Sequence, residues 1–354
     1  MQLVALCRAG FEKEVAAELT DVCAQRGVAG YAKAQSDSGY VEFIIHNPDQ
    51  ALALLSEVRF DHLVFVRHWF VTNGVIEELN PEDRATPLHQ ALQQLMLEFK
   101  VKAIESVEPI NTDTNDGKAL AKLAKGVGRH IQLAVQHKTK SSAECRAQLV
   151  FLTGQSAFVG LYPKNNSSPW PAGIARLRLP RQAPSRATLK LEEAWHHFVP
   201  AKEWDVRLAP SMKAVDLGAA PGGWTWQLVN RSMFVDAVDN GPMADSLMET
   251  GQVTHHLLDG FLYKPNKPVD WLVCDIADKP SRTAGMIARW GEQRWFTEAV
   301  FNLKLPMKQR YQEVMKCKSS ISERLKAQGI SHQLRFKQLY HDREEVTGHL
   351  RLFL

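Results

Sequence analysis

Cysteine is scarce in this 354-residue chain: five, at 7, 23, 145, 274 and 317, with no pair spaced as C-x-x-C. Such an odd, scattered set excludes a disulfide framework and a cysteine-built zinc site, and reads as reduced, mostly buried thiols in a cytoplasmic protein. Long apolar runs are missing as well. No window approaches the ~18 uninterrupted apolar residues of a membrane helix, so no membrane span is expected. The opening MQLVALCRAGFEKE meets acid at Glu12 after a few apolar residues and does not read as a signal peptide. An excess of either charge is lacking: 43 Lys and Arg oppose 39 Asp and Glu, for a net charge of +4. That balance permits an anionic partner without requiring one. Internal repeats and low-complexity segments are absent. The remaining composition, 45% hydrophobic and 23% charged, is that of a globular chain long enough for two or three domains.

Periodicity divides the chain. LVALC (3–7) reads as a strand, and over 11–27 Phe11, Val15, Leu19 and Val22 share one helix face that Gly27 terminates. Short strands near 29–34 and 40–45, a helix from Pro48 and a strand LVFVRHWFV (63–71) complete the order βαββαβ of a small ferredoxin-like unit over 1–73. A second unit, 74–162, reads as a helix at 85–98, a strand at 99–107, a helix at 116–136 and a hairpin, AECRAQLVFL and SAFVGLY, turning through Thr153, Gly154 and Gln155. Residues 163–185 hold five prolines and no period, and mark a linker. From 187 the pattern becomes α/β: a helix at 187–198, then near-continuous apolar strands at 214–218, 233–239, VTHHLL, 269–275 and 296–304, alternating with helices at 223–231, 242–249, 280–291 and 307–328. Strands of that kind form a mostly parallel sheet covered on both faces. The last two, HQLRFKQLY and EVTGHLRLF, are joined by HDRE alone and must be antiparallel to each other.

Basic residues cluster over 118–146, where Lys118, Lys122, Lys125, Arg129, Lys138, Lys140 and Arg146 face a single acid, Glu144. Lys118, Lys122, Lys125 and Arg129 share one helix face, either a solvated face or a stripe turned to phosphates. Arg176 and Arg178 in the linker, Lys308 and Arg310 near the start of the last helix, and Arg343 add candidate phosphate contacts.

The strongest local signal is Asp216-Leu217-Gly218-Ala219-Ala220-Pro221-Gly222-Gly223-Trp224, where a strand hands over to a helix. Small residues admit a ligand to the backbone there, and the helix N-terminus offers free N–H groups. It is neither GxGxxG nor GxxxxGK[ST], and Pro221 removes a donor that a pyrophosphate cradle would use. Asp239 closes the second strand, where a ribose-binding carboxylate belongs in a doubly wound fold, and Asp259 after the third is placed to receive an adenine amino group. These point to an adenosine-containing cofactor, with nicotinamide and S-adenosylmethionine both open. His255 and His256 lie nearby, but no Cys or acid at ligand spacing supports a metal. His196 and His197 read as packing or surface residues, and Trp290 and Trp295 as packing anchors rather than stacking platforms.

DLGAAPGGW, the Cys274-Asp275 pair, NLKLP (302–306) and the terminal DREEVT resemble the S-adenosylmethionine-dependent RNA ribose 2′-O-methyltransferases of the FtsJ type, over about 187–354. Across the whole chain CRAGFEKE, NNSSPWPAGIARL, APSRATLKLEEA, VDNGPMA, FNLKLPMK and LYHDREEVT are similar to the bacterial large-subunit rRNA cytidine 2′-O-methyltransferases. The resemblance implies a Rossmann-like methyltransferase fold over 186–354, a mostly parallel sheet with an antiparallel last strand, preceded by the α+β ferredoxin-like unit, a THUMP unit at 74–162 and the linker. It implies S-adenosylmethionine as cofactor, with S-adenosylhomocysteine as product, held by Ser185, Asp216, Gly218, Ala219, Ala220, Pro221, Gly222, Gly223, Trp224, Asp239, Asp259 and Asp275. The implied substrate is one cytidine of 23S rRNA, protein-free or in an early assembly intermediate, methylated by a monomer.

The catalytic set it implies is Lys190, Asp275, Lys304 and Glu345. Glu345 is preferred to Glu344 because it immediately precedes the valine of the last strand; a slip of one residue would turn the side chain to the other face. Methyl transfer to a hydroxyl needs alignment and removal of a proton, and no metal. Lys304, crowded by Lys190, is the expected base, with solvent the alternative proton acceptor, Asp275 holding Lys304, and Lys190 and Glu345 orienting the 2′-oxygen. Two other classes compete: a non-catalytic RNA-binding assembly protein with a degenerate methyltransferase fold, and a nicotinamide-dependent oxidoreductase.

Overall fold

A computed structural model describes residues 1–353; the last residue of the expected C-terminal domain, 354, lies outside them. The chain forms two compact units, Met1–Ile174 and Ala175–Leu354.

The first unit starts with β1 (Gln2–Leu6), α1 (Glu12–Gln25), β2 (Gly30–Ala34), β3 (Tyr40–Ile45), α2 (Gln50–Glu57) and β4 (His68–Thr72). Their sheet order β2-β3-β1-β4, antiparallel throughout, is the ferredoxin-like arrangement. On α1 the buried apolar residues step by four, Val15, Leu19 and Cys23, so Cys23 takes the place expected of Val22, and Phe11 sits at the N-cap. The strand expected at 63–71 is shorter. Over 64–66 the backbone N–H groups donate to the buried carboxylate of Glu18, not to a neighbouring strand, and regular pairing begins at His68.

The same sheet continues into the next segment. After β5 (Val75–Ile76) come α3 (Ala85–Glu98), β6 (Ile104–Ile110), α4 (Asn115–Ala134), β7 (Cys145–Thr153) and β8 (Ser156–Pro163), extending it as β4-β8-β7-β6. Residues 1–73 and 74–162 therefore share one sheet, not two separate cores. β6 begins later than the expected 99 because 99–101 close helix α3, with the Val101 N–H donating to the Met96 carbonyl. The proline-rich stretch is tied down at its start. The Asn166 side chain donates to the carbonyls of Leu55 and Val58 and accepts from the Phe60 N–H.

The second unit comprises α5 (Thr188–Phe198), α6 (Trp204–Arg207), β9 (Lys213–Leu217), α7 (Gly223–Asn230), β10 (Phe234–Val238), α8 (Asp245–Met248), β11 (Val253–His256), β12 (Val269–Cys274), α9 (Pro280–Glu292), β13 (Phe296–Lys304), α10 (Arg310–Ala327), β14 (His332–Lys337) and β15 (Glu345–Leu352). Strand order is β11-β10-β9-β12-β13-β15-β14. The first five strands are parallel, and β15 runs antiparallel to both β13 and β14. Leu191, Trp195, Phe198, Trp224, Leu228, Trp271 and Val300 build a core between α5, α7 and the sheet. Order reverses between β9 and β12, and in such sheets ligands bind at the carboxyl ends of the strands beside that switch point. No described helix is long and apolar enough to cross a membrane.

Candidate active site

Register builds the polar cluster. Lys304 lies opposite Glu345, and Asn302 opposite Thr347, in the β13–β15 pairing. With a period of two, these four residues share one face at the carboxyl end of β13. Asp275 follows the last residue of neighbouring β12, whose Cys274 pairs with Phe301. Lys190 arrives from α5. Four elements thus converge.

Lys190 Nζ donates to Glu345 Oε2 at 2.5 Å and to Asp275 Oδ2 at 3.3 Å. Lys304 Nζ donates to Glu345 Oε1. Asn302 Nδ2 donates to Asp275 Oδ1 at 2.7 Å and to Glu345 Oε2 at 3.4 Å. The four residues expected as a catalytic set therefore meet, and Glu345 is the one turned to the lysines; Glu344 pairs outward with Arg310 at 2.8 Å. One link differs from expectation. Lys304 is held by Glu345, its cross-strand partner, while Asp275 binds Lys190 and Asn302.

The two lysines are not equivalent. The Lys190 side chain is 16% exposed and that of Lys304 46%. Burial works against the Lys190 charge, but Asp275 and Glu345 more than offset it and raise its pKa. Burial likewise opposes the Glu345 carboxylate, yet Lys190 and Lys304 bring it below the usual range. For Asp275 burial prevails over the Lys190 attraction, and its pKa is raised. Lys190 is a fixed cation; Lys304 is the amine that meets solvent.

Glu193 locks α5 to the turn before β15. Its carboxylate accepts the N–H groups of Tyr340 and His341 at 2.8 and 3.0 Å, and pairs with the His341 ring at 2.6 Å. Sequence reasoning missed Glu193, Asn302 and Thr347. Asn302 was within reach, standing two residues before Lys304 on the same strand face.

Beside the cluster lies a cleft lined by Gly218, Ala220, Asp239, Asn240, Leu258, Asp259, Gly260, Asp275, Ile276 and Ala277. Asp275, Ile276 and Ala277 line both the cleft and the lysine pocket. Gly218 and Gly222 shape the turn with φ of 78° and 115°, and a Cβ on Gly222 would come 2.2 Å from Leu247 Cδ1. Asp239 bridges the turn to β10, accepting the N–H groups of Ala220 at 3.0 Å and Gly241 at 2.7 Å. Asp259 accepts the Phe261 N–H.

The other residues expected at the cofactor fall outside this lining. Asp216 is fully buried, accepting the Thr225 hydroxyl at 2.6 Å, because strand alternation turns it inward; burial pushes its pKa up to about 7. Trp224 is a core residue between α7 and the sheet. Ala219 packs with Ala237 and Met243. Gly223 opens α7 against Ser185 Oγ, and the exposed Pro221 accepts the Ala244 N–H through its carbonyl. Ser185, Asp216, Ala219, Pro221, Gly222, Gly223 and Trp224 support the turn from outside the cleft lining.

Among the basic candidates, Lys118, Lys122, Lys125 and Arg129 are exposed on α4, whose buried face is Gly117, Ala124, Gly128 and Ile131. Lys118 pairs with Asp113 at 3.5 Å. Lys140, Arg176, Arg178, Lys308 and Arg343 are exposed and Lys138 half-buried. Arg310 departs from expectation: its side chain is 11% exposed and committed to Glu344, a brace on the turn before β15. His256 pairs with Asp236 at 2.8 Å and His255 with the Asp239 carbonyl at 3.0 Å. Trp290 is buried, edge-on to Trp295 at 5.3 Å.

Residues 1–70 match the family described as RlmM ferredoxin-like domain, and residues 183–305 match FtsJ-like methyltransferase. The chain is 59% identical over 352 residues to ribosomal RNA large subunit methyltransferase M of Teredinibacter turnerae, covering 99% of this chain and 100% of that one. Its identity to the proteins of the same name from Saccharophagus degradans and Cellvibrio japonicus is 57% and 52%, over 100% and 99% of this chain and 100% and 99% of theirs. With identity at this level across nearly its whole length, the chain belongs to the family of ribosomal RNA large subunit methyltransferase M.

Proposed function

We propose that this protein methylates the ribose 2′-oxygen of one cytidine in 23S rRNA. The observation that carries the reading is the Lys190–Asp275–Lys304–Glu345 cluster, which shares Asp275, Ile276 and Ala277 with the cleft at the switch point. The relatives' name supports a large-subunit rRNA substrate. The cofactor is S-adenosylmethionine, whose sulfonium supplies the methyl group. The cleft fits it: small residues at Gly218, Ala220 and Gly260 leave room against the backbone, while Asp239 and Asp259 present carboxylate oxygens to hydroxyl and amino donors.

In this reading Lys190, buried and held by two carboxylates, keeps its proton and fixes the ribose oxygen. Lys304, tethered by Glu345 and open to solvent on its other side, releases its own proton to solvent and as the free amine receives the hydroxyl proton. Asp275 lies where the cleft and pocket meet and orients Lys190. The target nucleotide must be unpaired or flipped out to reach this pocket. Residues 74–162 act as a THUMP unit joined to the ferredoxin-like 1–73, and residues 163–185 lead into the catalytic 186–354. Acting as a monomer, the enzyme meets rRNA protein-free or in an early assembly intermediate.

The test is methyl transfer from labelled S-adenosylmethionine to protein-free 23S rRNA, with the modified nucleotide mapped. We expect label on one cytidine 2′-oxygen, and a loss of about 100-fold or more in Lys304→Ala. Tight cofactor binding without transfer would favour the non-catalytic assembly protein. Absence of cofactor binding would remove the reading altogether.

A further inference from the structure

The crossover from β11 to β12 lacks a helix, and a pocket lies where one would pack. β11 is the edge strand and β12 lies beyond β10 and β9, so residues 257–268 must pass across the sheet. Parallel strands are ordinarily joined by an α-helix that covers the sheet face, but none forms over 257–268. Alternation along β10 sends Val235 to the core shared with α5 and α7. It turns Phe234 and Asp236 to the opposite face, beside Lys213 of β9 and Thr254 of β11 in register. The result is a cavity of about 380 Å³, within the range of small-ligand sites. It begins at the amino ends of β9, β10 and β12, roughly 15 Å along β9 from the cofactor cleft, and shares no lining residue with that cleft.

The lining complements a nucleotide part by part. Phe234 is 42% exposed, and the Lys213 ammonium lies 3.9 Å from its ring centroid. Lys267 stands exposed on the rim. Neither lysine has a carboxylate partner among the described residues. Asp270, the acid beside Lys213, accepts that residue's backbone N–H at 2.8 Å. Asp236 is held by His256 Nε2 at 2.8 Å, and the buried Tyr263 ring faces the same carboxylate. A carboxylate has more acceptor sites than these two contacts use, and Asp236 is only half-buried. An exposed ring suits the face of a base, the two ammonium groups suit a phosphate, and the carboxylate suits an exocyclic amine.

We propose that this pocket holds one unstacked nucleotide of a single-stranded RNA segment, its base against Phe234 and its phosphate between Lys213 and Lys267. The choice of RNA as the source of that nucleotide rests on the rRNA methyltransferase reading. The contact gives the catalytic unit its own grip on rRNA, apart from the target ribose.

The test uses the full chain with excess S-adenosylhomocysteine and an unstructured octacytidylate, cross-linked by ultraviolet light. Adducts are mapped by mass spectrometry, and the oligonucleotide concentration giving half-maximal adduct is read at each site. We expect an adduct on Phe234 or Tyr263. Lys213→Glu combined with Lys267→Glu should raise the half-maximal concentration there about 10-fold. Phe234→Ala should raise it about 10-fold at Tyr263, through lost stacking. Both variants should raise the KM for 23S rRNA and leave kcat and the Kd for S-adenosylmethionine as they are. The three substituted side chains are exposed, so the fold does not depend on them. Adducts confined to other surfaces of the wild type overturn the inference, and so does a half-maximal concentration at this pocket that charge reversal leaves unchanged. A wild type that carries the adduct but methylates no rRNA overturns the functional reading instead and leaves the nucleotide site standing.

Discussion

At the scale of single residues, the structure separates side chains that line the cleft from those buried beneath it. Asp216 is the sharpest case. Its position at the head of DLGAAPGGW suggests a cofactor contact, but alternation along β9 sends it inward to Thr225. Burial raises its pKa to about 7, against an ordinary value near 3.8. The sign follows from linkage: the folded state holds the proton more tightly than the unfolded chain. Below about pH 4 both states are protonated and burial exacts no ionisation cost. As pH rises through about 7 the folded state must ionise Asp216, and that part of the stability is lost. Asp216→Asn should therefore remove a fall in stability between about pH 4 and pH 8, on the order of a few kcal/mol for a fully buried group. Urea unfolding of the two proteins across that range is the check. Parallel curves would mean that Asp216 ionises as freely folded as unfolded.

Elements carry the next level. Most helices and strands were legible because their apolar residues repeat cleanly: β13 at 296–304 and α3 at 85–98 coincide with the periodic runs. What was not legible depends on partners distant in sequence. Glu18 replaces strand pairing over 64–66, which no local pattern around residue 63 discloses. Asn302 and Thr347 become a pair only through the β13–β15 register, and Arg310 is spent on Glu344 across a turn from another segment. The four residues Lys190, Asp275, Lys304 and Glu345 were legible through motif resemblance; their connections were not, and Asp275 gave up Lys304 to Glu345.

Helix α4 supplies the prediction at this scale. Lys122, Lys125 and Arg129 have no ion-pair partner among the described residues and stand roughly 90–150° around the helix from its buried face. Reversing Lys122 and Arg129 to Glu should weaken rRNA binding about 10-fold or more and flatten its dependence on salt by roughly two counterions. Cofactor affinity should not change. Equal affinity for variant and wild type at moderate salt would show that this face is merely solvated.

At the scale of the whole molecule, the division into Met1–Ile174 and Ala175–Leu354 makes a thermodynamic claim. Every residue lining the cleft and the lysine pocket belongs to the second unit. A ligand that binds only the folded form of that unit stabilises it by mass action, by about 2.7 kcal/mol at 100 times its Kd. For a unit of this size each kcal/mol is worth roughly 2–4 °C, so S-adenosylmethionine should raise one calorimetric transition by roughly 5–10 °C and leave the other where it was. The shifted transition should also be the one displaced by substitutions in the core around Trp195 and Trp271, and the static one by substitutions around Phe70 and Phe158. A fragment need not be cut to see this, since each substitution labels its own unit within the intact chain. If cofactor moved both transitions together, folding would be a single cooperative event despite the two cores, and occupancy of the cleft would then reach the basic face of α4 through stability alone. The same scan with the α4 charge-reversal variant separates the cases: independent units leave its cofactor-induced shift equal to that of wild type, whereas a single cooperative block makes every stability change in the first unit appear in the transition the cofactor moves.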